Sequence, residues 1–228
     1  AVILSGGKGH RLYPLTEGIP KPLLPVANRP LILFQLQILE RAGFGEALVV
    51  TSKELFKPLQ RFLTEEYKGK IKAKLVQLDG NVERTADALR FVKDKIKTDF
   101  FVMSGDLITN VYLHYIADIH RSRDASCTIL FKEAPVKKDA TAKKDDKSIT
   151  RDIGMQYVGL VEKSSRVVMY KSAADVEDSI TIHKSILRRL RLLCHCHRHP
   201  DFDLRTGLKD AHLYLFSHWV LSLLDEKK

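Results

Sequence analysis

Short unbroken apolar runs alternate along this chain with stretches whose apolar residues recur every three to four positions, the pattern of buried strands alternating with amphipathic helices. Residues 1–4 (AVIL), 46–51 (EALVVT), 73–78 (AKLVQL) and 100–103 (FFVM) read as strands, and residues 31–42, 53–67 and 85–97 read as the helices between them. Pro30 before the first helix and Gly43 after it are start and stop signals, while Ser52 and Thr85 stand where a side-chain oxygen can cap the next two. This alternation implies an α/β fold with a mostly parallel sheet covered on both faces by helices. Ligands of such sheets bind beyond the carboxyl ends of the strands. Two loops fall there, Ser5-Gly6-Gly7-Lys8-Gly9 after the first strand and Ser104-Gly105-Asp106 after the fourth.

Past residue 110 the pattern loosens. Residues 111–123 read as a helix and 125–131 as a strand, but 134–151 is charged without apolar period and is expected to be an exposed, mobile loop. Residues 156–161 and 166–170 flank Glu162-Lys163-Ser164-Ser165 as a hairpin, which predicts a small β lobe. A further strand over 180–183, a short helix over 184–190, a strand over 210–216 (DAHLYLF) and a helix beginning at 218 complete the reading.

Composition narrows the function classes. At 228 residues the chain suffices for one sizeable α/β core with a smaller lobe. No apolar run approaches the ~20 residues of a membrane span. Three cysteines are too few for a disulfide framework, which suits the reducing cytoplasm. In an extended segment, Cys194-His195-Cys196-His197-Arg198-His199 would turn its cysteines to one side and its histidines to the other, so no metal is expected there. The formal net charge of +10 would suit an acidic partner such as RNA. Much of the excess lies in residues 137–151 and 184–198, however, and reads as solvated loop surface in preference to a sequence-specific nucleic-acid site.

The first loop carries the chemistry. Glycines let a phosphate approach backbone N–H groups, and Lys8, Arg11 and Lys21 supply charge for its oxygens. It is not a P-loop, since Gly7-Lys8 is followed by Gly9, nor a dinucleotide fingerprint, since Leu12 stands where a third glycine belongs. Asp106 has two readings, a ligand for a hard cation such as Mg²⁺ or a cap of the turn before Leu107 and Ile108.

Gly6, Gly7, Gly9, Arg11, Leu12, Pro14, Leu15, Thr16 and the run Pro20-Lys21-Pro22-Leu23-Leu24-Pro25-Val26 stand in the order of GGxGxRL…PLT…PKPLLPV. That series resembles the sugar nucleotidyltransferases, which join a nucleoside triphosphate to a sugar 1-phosphate. The resemblance implies the Rossmann-like nucleotide-diphospho-sugar transferase fold. It also implies nucleotide or phosphate binding by Gly6, Gly7, Gly9, Arg11, Lys21 and Thr85, with Asp106 as a vestigial metal ligand. Three departures tell against catalysis. The family's GTAG segment is here Arg84-Thr85-Ala86-Asp87, its sugar-phosphate EKP motif falls near Ser172-Ala173-Ala174, and no second metal carboxylate follows the Asp210-Ala211-His212-Leu213-Tyr214 strand. No catalytic residues are therefore expected, Arg11 and Lys21 being vestigial, and no cofactor is required beyond weak nucleotide binding with Mg²⁺.

Within that family the runs PKPLLPV, TADALR, SGDLITNV, ITIHKSIL and DAHLYLF resemble the gamma-subunit family of eukaryotic translation initiation factor 2B, over nearly the whole chain. That resemblance implies a non-catalytic, cytoplasmic subunit supporting guanine nucleotide exchange on initiation factor 2. Its partners would be an epsilon subunit, the other subunits of the complex and initiation factor 2. It also implies that 1–228 is one nucleotidyltransferase-like domain, with a few residues before Ala1 and a left-handed β-helix after Lys228. The alternative is an active sugar-1-phosphate nucleotidyltransferase of the GDP-mannose pyrophosphorylase kind.

Overall fold

In a computed structural model, residues 1–7, 9–78, 85–133, 156–161, 165–176, 179–182, 185–186 and 202–224 are described. They fall into two units, Ala1–Leu130 with His212–Lys228, and Phe131–Ala211.

The first unit is built on a six-stranded sheet. β1 (Val2–Leu4) pairs in parallel with β4 (Glu46–Ser52) on one side and β6 (Phe100–Ser104) on the other, and β5 (Lys72–Leu78) continues the parallel run beyond β4. β11 (Leu208–Phe216) joins β6 in antiparallel, and β7 (Cys127–Glu133) closes the order β5-β4-β1-β6-β11-β7. A small ribbon of β2 (Pro25–Val26) and β3 (Arg29–Pro30) precedes the first helix. The fold is therefore a mixed, mostly parallel α/β sheet, as the alternating pattern predicts.

Strand periodicity explains the layers. The register Ile3↔Val49 and Ile3↔Met103 places three apolar side chains in one row, packed with Ile32, Leu36 and Leu39 of α1 (Leu31–Arg41). Their neighbours Val2, Val50 and Val102 face the opposite side, against Ala88, Leu89 and Val92 of α3 (Thr85–Val92) and Leu221 of α5 (Val220–Leu223). Burial on both faces is why these strands read as unbroken apolar runs. Ile3, Ile32, Leu36 and Leu39 are fully buried, and each such side chain contributes ~1.5–3 kcal/mol through area removed from water. α2 (Lys53–Glu65) and α4 (Leu113–Ser122) complete the cover on the α1 side through Leu59, Phe62, Leu113 and Ile116.

Helix ends show where local signals held and where packing prevailed. α1 stops as its glycine predicts. Gly43 takes φ 78° and donates to the Glu40 carbonyl while Phe44 N–H donates to Leu39, which satisfies two of the carbonyls in the last turn of the helix. Ser52 does occupy the N-cap position of α2, but its side chain makes no capping bond. It is also the last residue of β4, and its hydroxyl is buried in the sheet. Thr85 is the first residue of α3, and that helix ends at Val92 instead of running to 97. A tighter 3₁₀ turn over Lys93–Lys95 follows, and it lets Ile96 join Val92 in the same core.

The second unit contains an antiparallel sheet of order β10-β8-β9, from β8 (Gln156–Val161), β9 (Arg166–Ser172) and β10 (Asp203–Arg205). β8 and β9 are the expected hairpin. β10 has no apolar run to announce it and exists through its ladder to β8, Leu204 opposite Gly159. Conversely, the expected strand at 180–183 is not formed by residues 180–182, which have the apolar composition but no strand ladder. In this unit Tyr170 donates its hydroxyl to Asp210 at 3.1 Å, and the Asp210 backbone N–H donates to Gln156 Oε1 at 2.7 Å. Lys8, Arg84, the charged stretch 134–151, the residues 162–164, most of the segment 184–190 and the Cys194–His199 cluster lie outside the described residues. Among the described residues no helix is long and apolar enough to cross a membrane.

Candidate functional site

Both loops anticipated at the carboxyl ends of the strands are brought side by side. Ser5 N–H donates to the Val50 carbonyl at 2.8 Å, continuing the β1–β4 ladder one step beyond the strand, and Gly105 N–H donates to the Leu4 carbonyl at 2.8 Å on the other edge. Between β1 and β6 the sheet order reverses direction, since β4 and β5 lie to one side and β11 and β7 to the other. This is the topological switch point at which open α/β sheets bind ligands.

The glycines here have distinct reasons. A Cβ on Gly105 would stand 2.5 Å from Ser5 Oγ and 3.1 Å from the Leu4 carbonyl oxygen, so the close approach of the two loops requires its absence. Gly9 has φ 73°, and a Cβ there would meet Thr16 Cγ2 at 2.9 Å and Lys21 Cβ at 3.3 Å. Gly7, by contrast, has nothing within 4 Å of that position and is exposed. Its backbone is open to an incoming group. Thr16 hydroxyl donates to the Gly9 carbonyl at 3.1 Å, which ties the following Pro-rich loop to the glycines.

At the centre of the arrangement is an ion pair that joins residues 85 positions apart. Lys21, in a 3₁₀ turn over Lys21–Leu23, places its Nζ 2.6 Å from Asp106 Oδ2. The Ser104 hydroxyl donates to the other carboxylate oxygen, Oδ1. Partial burial pushes the Asp106 carboxyl up, but the Lys21 ammonium and the Ser104 hydroxyl outweigh it and hold the group below the usual carboxylate range. Behind the turn, the fully buried Gln35 of α1 donates its Nε2 to the Leu107 carbonyl at 2.6 Å and fixes the exit from Asp106.

Of the residues anticipated from sequence, Gly6, Gly7, Gly9, Lys21 and Asp106 are thus set at the two adjoining loops. Arg11 lies in the exposed 3₁₀ turn His10–Leu12, and Thr85 opens α3 on the surface. Neither is tied by a hydrogen bond or ion pair to Lys21 and Asp106. Sequence reasoning named Thr16 only as a motif member and Ser104 only as part of the second loop, without a role for either, and did not name Gln35. Gln35 did leave a trace, a lone polar residue on the apolar stripe between Ile32 and Leu36. With both Asp106 oxygens engaged, and no group of three His, Cys, Asp or Glu side chains assembled among the described residues, the side chains as arranged do not fit a resident divalent cation. In the second unit, the segment after β9 is a 3₁₀ turn over Ala173–Asp175 in which Ser172 Oγ accepts from Ala174 N–H and Ala173 is buried. Ser172, Ala173 and Ala174 offer no cation to a sugar phosphate.

Residues 1–141 match the family model described as nucleotidyl transferase. The chain belongs to the nucleotidyl transferase family. Among curated family relatives, translation initiation factor eIF2B subunit gamma of Dictyostelium discoideum is 33% identical over 236 residues, spanning 99% of this chain and 51% of that protein. Mannose-1-phosphate guanyltransferase of Saccharomyces cerevisiae is 34% identical over 136 residues, spanning 57% of this chain and 36% of that protein. A solved structure from Bacillus anthracis, described as a glucose-1-phosphate thymidylyltransferase, superposes with a TM-score of 0.71 at 18% identity, covering 100% of this chain and 74% of that one. At that identity the likeness is one of fold. The chain therefore spans about half the length of the gamma subunit it matches.

Proposed function

We propose that this chain is the nucleotidyltransferase-like part of a gamma-type subunit of translation initiation factor 2B. In this reading it is itself non-catalytic and cytoplasmic, and it supports GDP/GTP exchange on initiation factor 2 together with an epsilon-type subunit and the other subunits of the complex. The observation that carries the reading is the extent of the likeness. Similarity to the gamma subunit runs over 99% of the chain, through both units, at 33% identity, whereas similarity to the guanyltransferase is confined to 57% of it and an epsilon subunit from the same organism as the gamma subunit matches the same span at 26%.

The site chemistry supports the non-catalytic part. Nucleotidyl transfer needs a sugar phosphate held within ~3–3.5 Å of the α-phosphorus in line for attack. Ser172 to Ala174 supply no charge for that task, and the Lys21 ammonium is already committed to Asp106. Among the described residues, what remains is the backbone of Gly6, Gly7 and Gly9 with the exposed Arg11, enough for weak polyphosphate binding, since each charge-assisted contact contributes ~1.5–3 kcal/mol.

The test is co-expression of the full-length protein with its cognate epsilon-type subunit. The two are expected to co-purify at low salt, and the pair should release labelled GDP from initiation factor 2 faster than the epsilon-type subunit alone. Purified full-length protein that fails to associate with any subunit of the factor would refute the assignment. If it instead released pyrophosphate from GTP and mannose 1-phosphate at several turnovers per second, and lost this in Asp106→Ala, the transferase reading would replace it.

A further inference from the structure

We propose that the Lys21 ammonium fills the position at Asp106 that a divalent cation would take in a metal-dependent site, so that this pair of loops handles anions without a bound metal ion. The proposal goes beyond the subunit reading, and it stands or falls on metal binding alone, whatever complex the chain joins.

The geometry sets the two cations in competition for one carboxylate. Nζ of Lys21 is 2.6 Å from Asp106 Oδ2, and the Ser104 hydroxyl occupies Oδ1. A Mg²⁺ ion would have to sit ~2.0–2.1 Å from a carboxylate oxygen with near-octahedral geometry. At Oδ2 that places it against the ammonium, and two positive charges on one carboxylate oxygen repel. At Oδ1 it would share the oxygen with the Ser104 hydroxyl, with the ammonium still on the same carboxylate. Entry of the metal therefore means expulsion of Lys21.

Lys21 is built to stay. Pro20 precedes the 3₁₀ turn that carries it, and Pro22, buried, follows it. Its stem runs beneath Gly9. The position a Gly9 Cβ would occupy is 3.3 Å from Lys21 Cβ and 3.6 Å from Cδ, so the bare backbone of Gly9, held at φ 73°, covers the aliphatic chain. An ammonium attached in this way competes as an intramolecular ligand, at an effective concentration of order mM or more. The metal on its side has only the Asp106 carboxylate and the Ser104 hydroxyl to bind, Asp106 not being joined by a second and third His, Cys, Asp or Glu side chain among the described residues, so it competes successfully only once the ammonium is gone. A carboxylate neutralised by an ammonium also leaves a less positive site than one carrying a divalent ion. Among the described residues the anion must then be held mainly by backbone N–H groups and Arg11, which fits weak binding without turnover.

Mn²⁺ is a suitable probe, because free and bound ion are distinguished by electron paramagnetic resonance without reference to any activity. Full-length protein is titrated with Mn²⁺ alone, beside Lys21→Met, Asp106→Asn and the double variant. The wild type is expected to bind no more Mn²⁺ than Asp106→Asn. Lys21→Met is expected to gain a site at least about tenfold tighter than the background, a factor that corresponds to ~1.4 kcal/mol. The double variant should lose that site. A wild-type protein that binds one Mn²⁺ per chain, lost in Asp106→Asn, overturns the proposal. So does a folded Lys21→Met that gains nothing. Should Lys21→Met not fold, Lys21→Gln makes the same comparison, and the wild-type titration needs only the Asp106→Asn background.

Discussion

Replacing Gly105 by Ala adds one methyl group at the place where the two loops touch, and the surroundings decide its cost. The new Cβ would lie 2.5 Å from Ser5 Oγ, 3.1 Å from the Leu4 carbonyl oxygen and 3.3 Å from Ser5 Cα. Two of these three are backbone atoms. The Leu4 carbonyl is moreover fixed by the hydrogen bond it accepts from Gly105 N–H at 2.8 Å, so the methyl cannot be relieved by a rotamer change alone. Overpacking of this kind costs ~1–3 kcal/mol, and contact with main chain places it in the upper half of that range. For a domain of this size the melting temperature should fall by roughly 4–12 °C. Gly7→Ala is the control: nothing lies within 4 Å of its Cβ position, and its effect should stay within ~0.5 kcal/mol. A second comparison separates the contacts. Ser5→Ala removes the nearest atom, Oγ, which has no hydrogen-bond partner to lose among the described residues. Combined with Gly105→Ala it should recover ~1 kcal/mol, a coupling of the size expected for touching residues. Thermal and urea unfolding of the wild type and the four variants, followed by circular dichroism, measures all three quantities. Equal stability of Gly105→Ala and Gly7→Ala, or an additive Ser5/Gly105 pair, would refute the packing argument.

Further outcomes concern other groups. Because the folded-state pKa of Asp106 is depressed, its ion pair contributes stability above the unfolded carboxylate pKa of ~3.9, and that contribution is lost as pH falls through the lower folded value. The stability difference between wild type and Asp106→Asn should thus be constant near neutrality and shrink below about pH 4; a difference that persists unchanged in acid would show that the pair contributes nothing through its charge. Gln35→Met leaves the Leu107 carbonyl without its 2.6 Å donor and should cost ~1–3 kcal/mol, read by chemical unfolding, with faster amide exchange in the 104–107 turn. Burial together with the Asp210 carboxylate pushes the Tyr170 hydroxyl up to about 12, so one tyrosine should still be protonated when the ordinary ones have ionised. An alkaline ultraviolet titration in which Tyr170→Phe removes no late-titrating group would contradict this.

Periodicity by itself determined the α/β architecture, because strands buried on both faces must be apolar throughout and the helices that cover them must carry one apolar stripe. The same local information placed the two loops at the carboxyl ends of the strands and ended α1 at Gly43, where a left-handed residue is required. It did not determine β10 or the absence of a strand at 180–182. Strand formation is a pairing between distant segments, and Asp203–Arg205 is ordered by β8 and not by its own composition. Nor could it settle the end of α3, which the burial of Ile96 decides. The site divides in the same way. Glycines with charged neighbours raise the expectation of a phosphate loop in sequence, since backbone exposure is a property of the residues themselves. That Lys21 spends its charge on Asp106, with Ser104 on the second oxygen and Gln35 holding the turn, follows only once β1 and β6 lie adjacent. An ion pair across 85 residues is a consequence of sheet topology, and no local pattern encodes it.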